Sequence, residues 1–267
     1  MPVRVVQSKQ NARLKELRRV LASPGSNARG LAGIEGEKIL EEALRAGLRI
    51  VTVFVAQGSE RLLDTLPLPP ETELLLLPRK LLDSALATET PQPIAALVEP
   101  PDWNWAHLLG GSQEVAPLVV VLAGLQDPGN LGTILRSAEA FGATGVVSLP
   151  GTVSAWNPKA VRASAGSVFR VPLLATGERE CLQRLREAGV KIFATTARAA
   201  QPADLVDMAS SAALLIGNEG NGVPEQIAGQ ADGTITISCP GPVESLNAAV
   251  AASVLLYEAS RQRAARE

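Results

Sequence analysis

Short apolar runs alternate with stretches of helical periodicity from residue 119 onward, and this alternation constrains the fold more than any other feature of the sequence. The apolar runs are bounded by glycine, proline or asparagine and are interpreted as buried strands. Helices placed between buried strands are typical of a mostly parallel sheet, because parallel strands need crossover connections. The sequence therefore predicts an α/β fold. The predicted strands span 119–125, 145–149, 191–195, 213–217 and 234–238, and the predicted helices span 131–141, 181–188 and 245–263.

The residues before 100 show a weaker alternation, which predicts a separate α/β sandwich over residues 1–99. Leu14, Leu17 and Leu21 share one face of a helix predicted over 8–22, with Ser8 interpreted as its N-cap. A second helix is predicted over 35–46, with Gly47 as its stop. The further predicted elements are strands at 50–55, 73–77 and 94–98 and a short helix at 80–86.

Residues 100–116 are rich in proline, glycine and polar residues without periodicity. They are interpreted as a linker to a second domain over 117–267, and Trp103 and Trp105 could pin this linker to a domain surface. His107 is the only histidine, and no serine, cysteine or second histidine accompanies it. A histidine-based hydrolase and a His-rich metal site are therefore disfavoured.

Composition bounds the class of protein. Apolar residues make up 46% of the 267 and charged residues 19%, which indicates a globular chain rather than a disordered one. The longest apolar runs, such as 118–122, are far shorter than a membrane span, and the N-terminus has no apolar signal region. Cys181 and Cys239 are the only cysteines, which argues against a disulfide framework and a cysteine-rich zinc site. We expect a cytoplasmic protein with no membrane partner and no metal.

The formal net charge of −2 argues against a chain that is strongly basic throughout. Basic side chains are nevertheless concentrated in residues 1–20, where Glu16 is the only acidic one. This segment could meet phosphates, or it could be a solvated helix face. With three Trp, one Tyr and four Phe, the chain lacks the aromatics for a platform that stacks single-stranded nucleic acid.

Three polar stretches could carry chemistry, although each alone could be ordinary turn punctuation. The sharpest, 237–247, joins a predicted strand to a helix interpreted as starting at Ser245, which is where open α/β sheets bind ligands. In 130–136, Asn130 is interpreted as a helix cap. In 217–222, the glycines match neither the dinucleotide fingerprint nor a phosphate loop, so we expect a ligand held by backbone groups of several loops.

Taken together and in order, these stretches resemble the three motifs of the SpoU (TrmH-like) RNA 2′-O-ribose methyltransferases of the SPOUT superfamily. The matching segments are Asn130-Leu-Gly-Thr-Ile-Leu-Arg136, Gly217-Asn-Glu-Gly-Asn-Gly222 and Val243-Glu-Ser-Leu-Asn-Ala-Ala-Val-Ala251. Residues 157–172, with Ala163-Ser-Ala-Gly166, resemble the stretch between the first two motifs. Ser8–Arg13 and Gly33–Gly36 resemble the L30e-like substrate-binding domain that precedes many members.

The resemblance implies a deep C-terminal trefoil knot, bent S-adenosylmethionine bound in it, an RNA substrate and a homodimer formed through the C-terminal domain. The residues implied to contact the cofactor are Thr195, Thr196, Gly217, Asn218, Gly220, Ile237 and Leu246. Those expected to contact RNA are Lys9, Arg13, Lys15, Arg18, Lys159 and Arg162. One departure is visible, because Ser238-Cys239 stands where many members have Pro-Met, and this leaves the fit of the adenosine pocket open.

The implied catalytic residues are Arg136, Asn130, Glu219, Ser245 and Asn247. In the family Arg136 would be the general base, yet an arginine side chain is protonated in almost every setting. Either Arg136 loses its proton when desolvated beside a phosphate, or it stays charged, holds the phosphate and stabilises the developing alkoxide. Asn130 and Glu219 would hold Arg136 or the ribose, while Ser245 and Asn247 would shape the loop around donor and acceptor.

The substrate-binding domain implied for the N-terminal part favours 23S rRNA over tRNA as the substrate. A role in antibiotic resistance is an alternative, since methyltransferases with that role share the same architecture. Two other classes are possible from the sequence: a non-catalytic RNA-binding protein on this fold, and an unrelated α/β enzyme that uses a nucleotide cofactor. The intact motif residues argue against the first, and the missing phosphate-loop signatures argue against the second.

Overall fold

A computed structural model describes residues 3–25, 30–86, 88–111, 115–197, 201–243 and 245–266. The strands are β1 (Val3–Val5), β2 (Ala32–Glu35), β3 (Ile50–Ala56), β4 (Glu73–Leu77), β5 (Ile94–Val98), β6 (Leu118–Ala123), β7 (Gly145–Ser148), β8 (Leu173–Ala175), β9 (Lys191–Thr195), β10 (Gln201–Pro202), β11 (Ala212–Gly217) and β12 (Gly233–Thr236). The helices are α1 (Ala12–Ala22), α2 (Glu37–Arg45), α3 (Arg79–Asp83), α4 (Trp105–Leu108), α5 (Pro128–Ala140), α6 (Pro158–Ser164), α7 (Glu178–Glu187), α8 (Glu225–Ala228) and α9 (Ala248–Ala264).

The chain forms two compact units. The first contains Met1–Asp102 and Ser154–Phe169, and the second contains Trp103–Val153 and Arg170–Glu267. Helix α6 therefore lies in the first unit, although the sequence assigns it to the second domain. The boundaries at 99, 100–116 and 117 stay predictions, and residues 112–114 of the predicted linker lie outside the described residues.

The first unit is built on a five-stranded mixed sheet with the order β1-β4-β3-β5-β2. β1, β4 and β3 are parallel, and β5 is antiparallel to both of its neighbours. A Cβ atom on Gly33 of β2 would lie 2.8 Å from Leu21 and 2.9 Å from Val20, so glycine allows this strand to approach the apolar face of α1. The strands predicted around 50–55, 73–77 and 94–98 are confirmed.

The second unit is built on a seven-stranded sheet with the order β10-β12-β9-β11-β6-β7-β8. Every pair of neighbouring strands in it is parallel, which confirms the predicted α/β fold class. β6 and β11 are central, and all of their residues are buried, as expected for strands covered on both faces. The trefoil knot implied by the resemblance stays a prediction.

Three predicted helix starts are wrong. α1 is capped by Asn11 rather than Ser8, α5 by Asp127 rather than Asn130, and α9 by Asn247 rather than Ser245. In each case the observed cap accepts hydrogen bonds from backbone N–H groups in the first turn, whereas the predicted one does not.

The helix predicted over 35–46 begins at Glu37, because residues 32–35 pair with β5 as a strand. The predicted linker contains α4, where His107 accepts a hydrogen bond from the Asn104 N–H through Nδ1. Trp105 Nε1 donates to Glu180 at 3.3 Å in the same unit.

The described residues contain neither a membrane-spanning helix nor a cluster of metal-binding side chains. No helix in the described ranges is long and apolar enough to cross a membrane. Within the same part of the chain, no group of three or more His, Cys, Asp or Glu side chains is placed to hold a metal ion.

Candidate active site

The three motif segments meet where the order of the second sheet reverses. The chain leaves β6 towards β7 on one side and leaves β11 towards β12 on the other, although β6 and β11 are neighbours. Such a reversal opens a crevice at the carboxyl ends of the two strands. Asn218 Nδ2 donates to the Gly124 carbonyl at 3.0 Å and ties the two strand ends together.

A chain of side-chain hydrogen bonds joins one residue from each motif. Asn130 Nδ2 donates to Glu219 Oε1 at 3.0 Å, and Asn247 Nδ2 donates to Asn130 Oδ1 at 3.1 Å. Asn247 Oδ1 in turn accepts from the N–H groups of Ala249 and Val250 as the cap of α9. Asn130 is 9% exposed, so both of its amide atoms are paired in a nearly dry position.

Helices α5 and α9 lie side by side and run in the same direction. Asn130 contacts Asn247 at their N-termini, and Ser137 and Ser253 share a 2.7 Å hydrogen bond further along. The Phe141 and Tyr257 rings meet edge to face past the C-terminal end of α5. Two helix N-termini therefore converge at the hydrogen-bond chain, and their dipoles favour negative charge there.

Glu219 supplies that negative charge. Its carboxylate accepts from the backbone N–H groups of Gln126 (3.3 Å) and Asp127 (3.1 Å) as well as from Asn130. Partial burial by itself raises the pKa of the Glu219 carboxyl, but the hydrogen bonds from Asn130 and the backbone together hold that pKa below its ordinary value. Glu219 is thus ionised, and its carboxylate links the second motif to the start of α5. These hydrogen bonds of Glu219 are called the Glu219 clasp below.

The second motif forms a closed turn that directs Glu219 towards α5. Asn218 and Gly222 exchange two backbone hydrogen bonds, of 3.0 and 2.9 Å. A Cβ atom on Gly217 would lie 1.9 Å from the Gly222 carbonyl carbon, so no side chain fits there. Asn218 Oδ1 accepts from the Gly220 N–H at 2.8 Å. Gly217, Gly222 and Asn218 are therefore needed to form this turn, whether or not they also contact the cofactor.

The seven residues predicted to contact the cofactor lie in four segments at the carboxyl ends of β9, β11 and β12 and before α9. Because these strands are parallel neighbours, their carboxyl ends share one edge of the sheet. Thr195 Oγ1 donates to the Leu215 carbonyl at 2.8 Å, and the Thr196 N–H donates to the Ile235 carbonyl at 3.0 Å. The structure thus brings the predicted cofactor residues to one edge, next to the Glu219 clasp.

The loop from Ile237 to Leu246 has the chemistry that a nucleoside ligand needs. Ile237 and Leu246 are half-buried apolar side chains. This loop includes Glu244, which lies outside the described residues, and between its other residues and the rest of the described chain no backbone N–H or C=O hydrogen bond occurs. Polar backbone groups flanked by apolar side chains fit the adenosine and methionine parts of S-adenosylmethionine.

Two predicted catalytic residues lie apart from the hydrogen-bond chain. Arg136 is exposed on α5, six residues beyond Asn130 and on a different face of the helix. Within the described part of the chain, its side chain forms no hydrogen bond or ion pair, so neither Asn130 nor Glu219 holds it. Ser245 is also exposed, and no side-chain hydrogen bond of Ser245 occurs among the described residues.

All six residues expected to contact RNA lie in the first unit. Lys9 and Lys15 are exposed, as are Lys159 and Arg162 on α6. Arg13 instead pairs with Glu73 at 3.1 Å and Glu16 at 3.2 Å, and Arg18 Nε donates to the Ser84 carbonyl at 3.4 Å. These two arginines are therefore partly engaged within the protein.

Asp127 is a site residue that sequence reasoning missed. Its carboxylate caps α5, and its backbone N–H binds Glu219. The signal was present, since an acidic residue directly before a proline at the first helical position is typical of a helix start.

Comparison with known proteins identifies the family. Residues 117–257 match the SpoU rRNA methylase family, and residues 34–103 match the RNA 2′-O ribose methyltransferase substrate-binding domain. The chain is 31% identical to the 23S rRNA (guanosine(2553)-2′-O)-methyltransferase RlmP of Bacillus subtilis over 94% of its own length and 97% of that protein.

Comparison with solved structures gives the same family. The SpoU methyltransferase AviRb from Streptomyces viridochromogenes in complex with AdoMet superposes with a TM-score of 0.83 at 29% identity, over 96% of this chain and 99% of that one. A solved structure that concerns the 2-OH methylation of C/U34 on tRNA covers 57% of this chain and 99% of that chain, with a TM-score of 0.52 and 33% sequence identity.

The chain belongs to the SpoU family of RNA 2′-O-ribose methyltransferases. It is an enzyme that uses S-adenosylmethionine to methylate a ribose 2′-hydroxyl of RNA.

Proposed function

We propose that this enzyme methylates a ribose in 23S rRNA. The observation that carries the proposal is that the likeness to the Bacillus subtilis 23S rRNA enzyme extends over 94% of the chain, through both units. The tRNA-related structure resembles only 57% of the chain. The first unit, which holds all six expected RNA-contacting residues, therefore favours a large structured RNA.

The cofactor would be held by the segments at the carboxyl edge of the second sheet. When bound, S-adenosylmethionine supplies an already activated methyl group. The task left to the protein is to align the ribose oxygen with that methyl, and such alignment can lower a barrier by about 7–11 kcal/mol. The loop from Ile237 to Leu246 is called the cofactor loop below. Asn247 would fix its end, because Asn130 hydrogen-bonds the Asn247 amide and Glu219 hydrogen-bonds Asn130.

Arg136 would act as a fixed positive charge. Because no acidic side chain among the described residues pairs with it, its charge is available to an RNA phosphate. A guanidinium near the ribose would also stabilise the negative charge that develops on the 2′-oxygen. This arrangement requires no proton loss from Arg136.

The enzyme would work as a homodimer formed through α9. Val250, Val254 and Tyr257 are 48%, 40% and 56% exposed and share one face of this helix. Ala249, Ala252, Leu255, Leu256 and Ala259 form the buried face of α9. A second copy of the chain would cover the exposed apolar face. An rRNA substrate also implies that the protein acts in the cytoplasm.

The test is a map of 2′-O-methyl groups in rRNA and tRNA from a strain that lacks the gene, made by mass spectrometry. We expect one 2′-O-methyl group in 23S rRNA to disappear and to return when the gene is restored. A restored gene encoding Arg136→Ala should not bring it back. Loss of a mark from tRNA with 23S rRNA unchanged would overturn the proposed substrate.

A further inference from the structure

The first unit contains a cavity that the methyl-transfer chemistry does not use. It has a volume of about 190 Å³ and is lined by Gly25, Gly30, Leu31, Ala32, Pro100 and Trp156. Since one water occupies about 30 Å³ in the liquid, the cavity has room for a group the size of roughly six waters. The described side chains that line it are apolar or absent, and Trp156 has the only aromatic ring among them.

Trp156 is held in place and yet half-exposed. Its backbone N–H donates to Ser154 Oγ at 3.2 Å, and its ring lies 5.9 Å from the Phe169 ring with the planes tilted by 31°. Phe169 is 2% exposed and therefore forms a fixed support on one side. A half-exposed indole that is held in this way is pre-organised to stack on a flat ligand.

Positive charge follows Trp156 closely along the chain. Helix α6 begins at Pro158, two residues after Trp156, and carries Lys159 and Arg162 exposed to solvent. The first turn of α6 contains no acidic residue. A ligand that combined a flat aromatic face with a negatively charged backbone would suit both the cavity and the helix, and a nucleotide of single-stranded RNA has this combination.

We propose that the cavity binds one unstacked base of the substrate RNA against Trp156, while Arg162 contacts the phosphate beside it. The inference rests on the proposed function for the presence of an RNA substrate, and it names a base-binding site in the first unit. The scarcity of aromatic residues argued against an extended stacking platform, but a single ring is enough for a single base. Such a site would help to select RNA in which a loop or bulge displays an unpaired base.

The test measures binding of fluorescently labelled hexaribonucleotides by anisotropy, using the full chain. The hexamers contain A, C, U or alternating G and U, and an abasic hexamer with the same number of phosphates is the control. We expect at least one hexamer to bind more tightly than the abasic one. Trp156→Ala should weaken that binding about tenfold, since stacking of a base on an aromatic contributes about 1–3 kcal/mol.

Two comparisons distinguish binding of the base from binding of the phosphate. Trp156→Ala should leave binding of the abasic hexamer unchanged, whereas Arg162→Ala should weaken binding of both kinds of hexamer equally. Trp156→Phe, which keeps a ring over Phe169, should retain most of the binding and controls for folding of the unit. The proposal is overturned if the wild-type protein binds no hexamer better than the abasic one, or if Trp156→Ala affects both kinds alike.

Transfer of labelled methyl groups to RNA distinguishes this inference from the proposed function. If the wild-type enzyme methylates rRNA while Trp156→Ala has no effect on hexamer binding, only the base site fails. If hexamers bind through Trp156 but no RNA is methylated, the proposed function fails and the base site stands.

Discussion

Asn130 is the residue on which the site depends most. Both ends of its amide are used, one by Glu219 and one by Asn247, so it connects the second motif to the start of α9. A buried amide with two partners tolerates replacement poorly, because truncation leaves polar groups unpaired. The role of Asn130 as a catalytic residue stays a prediction, whereas its role as the cap of α5 is wrong, since Asp127 is the cap.

Asn130→Ala should lower the free energy of unfolding by about 1–3 kcal/mol. It should also weaken S-adenosylmethionine binding, because Asn247 loses the partner that fixes the end of the cofactor loop. Urea unfolding and calorimetric titration measure the two effects. Asn221→Ala is the matched control, since Asn221 is exposed in the neighbouring turn. An Asn130→Ala protein with the stability and cofactor affinity of the control would contradict the role described.

The ionised state of Glu219 gives the site a pH dependence. The pKa of its carboxyl is lower in the folded protein than its ordinary value of 4.5, so the unfolded chain binds the proton more readily. The stabilisation is therefore complete above pH 4.5 and is lost as the pH falls through the folded-state pKa. In urea unfolding, wild type should exceed Glu219→Gln in stability at pH 7, and this difference should shrink below pH 4.5. A difference that grows on acidification would refute the assignment.

At the scale of elements, strands were predicted more reliably than helix ends. The central strands of both units fall within one or two residues of their predicted bounds, because runs such as 119–122 have few alternatives to burial. Helix starts were misplaced at Ser8, Asn130 and Ser245, because another good capping residue stands two or three positions away in each case. Tertiary contacts select between such neighbours, and no local pattern contains them.

Short or unusual elements were missed for similar reasons. No strand is predicted at β2, which contains Gly33, and only its last residue, Glu35, is assigned to the following helix. The strand pairs with β5, and Gly33 lets it approach α1 closely, and local periodicity shows neither contact. For the site, sequence order predicted which loops meet. It could not predict that Asn130 bonds to Asn247 and Glu219, because those partners lie on other segments and depend on how α5 packs against α9 and the 217–222 turn. The six-residue spacing alone places Asn130 and Arg136 on different faces of α5.

The cofactor loop contains a reporter of ligand binding. Cys239 is exposed in this loop, whereas Cys181 is buried in the second unit. Burial raises the pKa of the Cys181 thiol to about 12, and the nearby Glu180 carboxylate adds a smaller effect in the same direction. At pH 8 a thiol reagent should therefore modify Cys239 quickly and Cys181 only after unfolding. S-adenosylmethionine should slow the fast reaction at least tenfold, with Cys239→Ser as the control that lacks it. An unchanged rate would show that this loop does not cover the cofactor.

At the scale of the whole molecule, the exposed face of α9 predicts the assembly. Val254→Arg places a charge in the middle of the apolar stripe and should raise the dimer dissociation constant at least tenfold, because burying an unpaired charge is costly. Analytical ultracentrifugation measures the change. Ala264→Arg, at the exposed end of the same helix, is the control. A dimer unaffected by Val254→Arg would mean that another surface joins the subunits.

We propose that the two units have different tasks in the enzyme. The second unit contains the sheet edge proposed to hold the cofactor and the hydrogen-bond chain of Glu219, Asn130 and Asn247. The first unit contains the basic residues expected to meet RNA and the Trp156 cavity. A net charge of −2 is compatible with RNA binding because these cations are concentrated in one unit.

The most direct test of the account is methyl transfer from labelled S-adenosylmethionine to 23S rRNA that lacks its natural modifications. After nuclease digestion, mass spectrometry identifies whether the methyl group lies on ribose or on a base. We expect a single 2′-O-methylated nucleotide with the wild-type enzyme. Arg136→Ala should bind the cofactor normally and transfer methyl at least a hundredfold more slowly. A methyl group on a base, or full activity in both Arg136→Ala and Arg136→Lys, would contradict the account.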